Sequence, residues 1–139
     1  MEHPSVHDNF VYALSTHLER RFLVLHTQYR DGEGPYELTD VRFFGLVAHH
    51  FEHVAGPSIL MDIEEVDPGS VIERWHELFE RGKNYGWPPG KFIDLTDLSR
   101  VLREQGVRGY LVMSSCGLDG FVLAQGVEYL RRQGEAQFD

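Results

Sequence analysis

Cysteine occurs once in the 139 residues, at Cys116. A lone thiol excludes an internal disulfide framework, a cysteine zinc ribbon and a Cys-x-x-Cys redox motif. Positive charge is also scarce: 13 Lys and Arg stand against 22 Asp and Glu, for a net charge of −9. Nucleic-acid binders concentrate cations to neutralise phosphates, and "LERR" (Leu18 to Arg21) and "LRR" (Leu130 to Arg132) are too short for a phosphate track. No apolar run approaches the roughly 18 residues of a membrane-spanning helix. "MEHPSVH" (Met1 to His7) lacks the charged and apolar regions of a signal peptide. Repeats and low-complexity tracts are missing too. These absences predict a soluble, cytoplasmic protein that binds neither nucleic acid nor membrane. An acidic surface suits a basic protein partner. The length is near the commonest domain size, so one domain over 1–139 is expected, with a core that needs no disulfide.

What is present changes character midway. In "VYALSTHLERRFLVLHTQYR" (Val11 to Arg30), Tyr12, Leu14 and Leu18 share one parity. Leu23, Leu25 and Tyr29 share the matching parity beyond a turn at Arg20-Arg21. The opposite face then carries Ser15, His17, Glu19, Val24, His26 and Gln28. A helix from Val6 to Leu18 competes with this hairpin, but Val, Tyr, Thr and Phe crowd the segment and favour strands. "RDGEGPYELTD" (Arg30 to Asp40) is a loop by composition. A β-rich run from Leu38 to Val54 is broken at Ala55 to Pro57 and resumes from Ser58 to Val66, which predicts a four-strand meander.

Beyond Val66 the period becomes helical. Ser70 and Glu73 have capping-box spacing, and Val71, Trp75, Leu78 and Phe79 follow on one stripe, so a helix over 70–81 is predicted with Trp75 inward and Gly82 as its stop. "NYGWPPG" (Asn84 to Gly90) cannot be helical, because Pro88-Pro89 removes two donors. A second helix is expected from Thr96 to Gln105, ending at Gly106. "YLVMSSCGLDGFVLA" (Tyr110 to Ala124) reads as two strands around Leu118-Asp119, and Gln125 to Arg132 fits helix or strand equally. The predicted fold class is therefore α+β: an antiparallel sheet, built from the N-terminal four-strand meander plus a C-terminal hairpin, covered by two central helices.

"LTDVRFFGLVAHHFEHV", "ILMDIEEVD", "YGWP" and "SSCGLDGFVLA" together resemble a family of small, uncharacterised bacterial α+β proteins. The resemblance covers most of the chain. It implies an acidic interaction protein, with immunity-like proteins among such families, and it implies no reaction.

The richest chemistry lies in "VAHHFEHVAGPSILMDIEEV" (Val47 to Val66). On a helix, His49 and His53 would share a face, but the order H-H-F-E-H is not the H-E-x-x-H of a zinc helix. On strands joined at Ala55 to Pro57, Phe51 stands opposite Met61, His49 opposite Ile63 and His53 opposite Ile59, all toward the core. The other face sets His50 opposite Asp62, Glu52 opposite Leu60 and Ala48 opposite Glu64. One imidazole with three carboxylates, His50, Glu52, Asp62 and Glu64, suits a divalent metal ion or acid–base work; it equally suits a solvated sheet face. His26 would join His50 and Asp62 if the two hairpins were neighbours. Cys116 is read as an idle thiol, and Ser114 and Ser115 lack a nucleophile elbow. Trp87, with Tyr85 beside it, sits on a proline-stiffened loop that suits partner contact or a lid over the core. Two functions follow as expectations: a non-enzymatic binding module with no cofactor, or a small metal-dependent or acid–base enzyme at the four-residue cluster.

Overall fold

The computed structural model describes residues 3–31 and 37–132. Five strands come first: β1 (Phe10–His17), β2 (Phe22–Gln28), β3 (Leu38–Phe44), β4 (Ala48–Glu52) and β5 (Ile59–Val66). Helices α1 (Pro68–Arg74), α2 (His76–Lys83) and α3 (Leu95–Glu104) follow, then β6 (Arg108–Cys116), β7 (Asp119–Ala124) and β8 (Gly126–Arg132). The class is α+β, with one antiparallel sheet in the order β4-β7-β6-β5-β1-β2-β3-β8.

The seam between β5 and β1 is narrow, with Phe10 opposite Ile59 as its ladder pair. It divides the eight strands into two halves of four, which pack face to face. Leu23, Leu25, Val41 and Phe43 from one half meet Leu60, Tyr110, Val112 and Val122 from the other. Phe43 and Tyr110 mark the contact, with ring centroids 5.3 Å apart. On the far side of β6 and β7, the helices bury Val71, Ile72, Phe79, Leu98 and Leu102 against Phe121 and Leu123. Strand β7 thus lies between two apolar layers, which explains why "FVLA" reads as an unbroken hydrophobic run.

Helix α3 matches the expected span of Thr96 to Gln105 to within one residue at each end, and Gly106 beyond its cap is in the left-handed region, φ 74°. The Val11–Arg30 hairpin and the β6–β7 hairpin form, and the undecided tail becomes β8 against β3. Other expectations need correction. The four-strand meander does not exist: β1, β2 and β3 are consecutive neighbours, but β4 pairs with β7 and β5 with β6. Among the described residues the helices number three, because the stripe over 70–81 breaks at Trp75, φ −108° and ψ 35°. Capping comes from Asp67, not Ser70; its carboxylate accepts the Gly69 N–H at 2.8 Å, and Pro68 fills the first turn, where no N–H partner is needed. Arg103 holds that carboxylate with two bonds of 2.8 and 2.7 Å, which keeps Asp67 below the usual carboxylate range. The expected loop from Arg30 to Asp40 lies partly outside the described residues, and Leu38–Asp40 already belong to β3.

Tyr129 of β8 packs at the edge of the inter-sheet core, stacked on the His3 ring at 3.9 Å. Burial first, then the charges of Asp62 and Tyr110, push its phenol from 10.0 up to about 12. A raised acid pKa means that the folded state holds the proton more tightly. Its contribution to stability is fully present below pH 10 and is lost as pH climbs towards 12. Alkaline unfolding of the wild type should therefore steepen in that window, and Tyr129→Phe should flatten it. Equal alkaline transitions for the two proteins would refute the assignment.

Candidate functional site

Strand β4 closes one edge of the sheet and alternates strictly. Ala48, His50 and Glu52 face the helix layer, while His49 and Phe51 face the other sheet half. His49 is half-buried, and burial, followed by the charge on His50, lowers its pKa. His50 lies opposite Phe121, ring centroids 6.1 Å apart, and Glu52 lies opposite Asp119. The chain leaves β4 through His53, whose positive φ of 58° swings its ring back over the start of β7. His53 Nδ1 sits 3.1 Å from Asp119 Oδ1, and His50 Nε2 sits 3.3 Å from Glu52 Oε1.

Glu52, His53 and Asp119 each bring one ligand atom within 4.8 Å of the others. This grouping borders an open trough between the sheet and the α1–α2 junction. One part of it, about 340 Å³, is lined by Met61, Met113, Glu52 and Asp119. A second part, about 550 Å³, is lined by His50, His76 and Arg81. Glu52, Arg74 and Trp75 line both parts. The break at Trp75 helps make the trough: the helix turns there, and the indole packs on Phe121 at 4.8 Å with the Arg74 guanidinium 4.7 Å over it.

The four-residue cluster expected from the sequence does not assemble. Strands β7 and β6 stand between β4 and β5, so Asp62 pairs with Met113 and Glu64 with Leu111, not with His50 and Ala48. His50 and Glu52 keep company with His53 and Asp119 instead. His53 is not on the core side either; its side chain is 71% exposed. Asp119 escaped the sequence reading because "GLDG" looked like turn chemistry alone. Its only trace was a carboxylate at the mouth of a predicted strand.

Trp87 is not a free contact surface. It folds back onto Phe79, centroids 5.0 Å apart, and lies so close to Gly82 that a Cβ there would meet its Cε3 at 2.4 Å. Tyr85 remains outside, 87% exposed. Cys116 is exposed, and the hydroxyls beside it are engaged: Ser114 donates to the Leu118 carbonyl and Ser115 to the Ile59 carbonyl. His26 does not join His50 and Asp62. It lies on β2 in the other sheet half, bonded to Ser15 and Asp40. No described helix is long and apolar enough to cross a membrane.

Comparison with protein-family models, with curated proteins and with solved structures gives no match.

Proposed function

We propose that the protein is a binding module that takes a divalent cation through Glu52, His53 and Asp119, at the mouth of the trough beside α1 and α2. The convergence of these three donors within 4.8 Å carries the reading. Mixed imidazole and carboxylate donors suit a borderline ion such as zinc or manganese. Three protein ligands leave coordination positions open towards the trough. Arg74 and the faces of Trp75 and Met61 lie beside that opening, which favours an anionic ligand with an apolar portion. Acid–base catalysis by His50, Glu52, Asp62 and Glu64 has lost its geometric support, since two strands separate Asp62 and Glu64 on β5 from His50 and Glu52 on β4.

Calorimetric titration with zinc and with manganese tests the proposal. One ion per chain is expected for the wild type. Asp119→Asn or His53→Ala should weaken binding at least tenfold, because each removes a direct ligand. Asp62→Asn should change nothing. No binding by the wild type, or an equal loss in Asp62→Asn, would sink the site.

A further inference from the structure

A second constellation occupies the outer face of the β1–β2–β3–β8 half. Ser15 pairs with Val24, and the next residue outward on β2, His26, lies diagonal to it on the same face. His26 stands directly opposite Asp40 of β3. Ser15 Oγ is 3.0 Å from His26 Nε2, and His26 Nδ1 is 2.9 Å from Asp40 Oδ1. The histidine and aspartate side chains are 24% and 15% exposed, whereas Ser15 is open to solvent. Arg132 Nε lies 2.9 Å from Asp40 Oδ2 at an angle that makes the contact an ion pair only. The other end of that guanidinium donates to the Tyr12 hydroxyl at 2.7 Å. A register shift in β1 between Val11 and Ala13 brings the Tyr12 ring to 6.1 Å from His26.

We propose that Ser15 is a nucleophile, with His26 as its general base and Asp40 as the positioning residue, acting on activated carboxylic esters. The order is the one that nucleophilic serine chemistry requires: a hydroxyl on one imidazole nitrogen and a carboxylate on the other. Asp40 accepts a hydrogen bond from Nδ1–H, which holds the proton on Nδ1 and leaves the Nε2 lone pair facing Ser15. Arg132 fixes the carboxylate from its far side. In the reaction, Ser15 Oγ bonds to the acyl carbon while its proton passes to His26 Nε2. The ester C–O bond breaks, and the leaving alcohol takes that proton. Water then attacks the acyl-serine by the same route, releasing the acid and restoring Ser15.

The full chain would be incubated with an alkyl fluorophosphonate, which loses fluoride as the serine–phosphorus bond forms, and the adduct mapped by mass spectrometry. One adduct at Ser15 is expected, absent in Ser15→Ala. His26→Ala should slow labelling at least 100-fold, the scale of lost general-base catalysis. Asp40→Asn should slow it as well, with Asp40→Glu restoring part of the rate, a rescue that a merely structural role would not give. Ser15→Ala alters an exposed hydroxyl and should melt like the wild type, so it stays informative if His26→Ala folds poorly. No adduct, an adduct at Ser114 or Ser115 instead, or wild-type labelling by a folded His26 variant would overturn the proposal.

Discussion

Gly120→Ala should unseat β4 and abolish cation binding in a single change. Gly120 is opposite Phe51 in the β4–β7 ladder, with φ 153°. A Cβ built there would lie 1.9 Å from the His50 carbonyl oxygen, 2.9 Å from its carbon and 3.0 Å from the Phe51 Cα. All three atoms are backbone, so no rotamer relieves the clash; the strand itself must move by more than 1 Å, on the order of a lost van der Waals contact shell. Strand β4 is an edge strand held by β7 alone, so its displacement is not resisted from a second side. It also carries Glu52, and His53 follows directly. We expect a stability loss of roughly 3 kcal/mol or more and no detectable titration with zinc or manganese. Gly56→Ala is the control, since nothing lies within 4 Å of a Cβ there. A Gly120→Ala protein that melts and binds like the wild type would contradict the β4–β7 pairing on which the site depends.

That pairing is also where the sequence ceased to be legible. Local patterns gave nearly every element: the parity of Leu23 and Leu25, the stripe of Leu98 and Leu102, and the turn at Leu118-Asp119 all reappear in place. Pairing between strands distant in sequence leaves a weaker imprint. The four-strand meander followed from the rule that consecutive strands are usually neighbours. The rule failed at β4 because "AGP" joins two strands that go to different partners, β7 and β6. A false register that sorts polar from apolar residues is easy to build when both strands alternate, and the supposed His50–Asp62 pair was such a case. The split of His49 from His50 survived because it depends only on the period of one strand. Asp119 was missed for the opposite reason: it does not look chemical until a remote strand brings it a histidine. Ser15 already shared the polar face of its hairpin with His26; what the local pattern lacked was Asp40, which β3 supplies.

Phe121→Ala should cost the protein most of its helix layer. Phe121 is fully buried, and it is the residue on which three aromatic contacts converge: Trp75 at 4.8 Å, Phe79 at 5.5 Å and His50 at 6.1 Å. Truncating a buried phenylalanine costs about 3–5 kcal/mol, from lost transfer energy plus the cavity left behind. That is a large share of the 5–15 kcal/mol typical of a folded domain. For a chain of this size it corresponds to a fall in Tm of roughly 10–20 °C. The effect should be uneven. Helices α1 and α2 reach the sheet largely through Val71, Ile72, Phe79 and Trp75, so their main anchor point goes with the ring. The inter-sheet core of Leu23, Val41, Phe43 and Val112 loses no contact directly. Amide exchange should therefore accelerate in α1 and α2 well before it does in β2 and β3. Loss of the trough wall at Trp75 should weaken any organic ligand more than the cation, whose donors come from the end of β4, the His53 that follows it, and the start of β7. Uniform exchange across both layers, or a drop in Tm below a few degrees, would show that the helices are held by something other than this aromatic cluster.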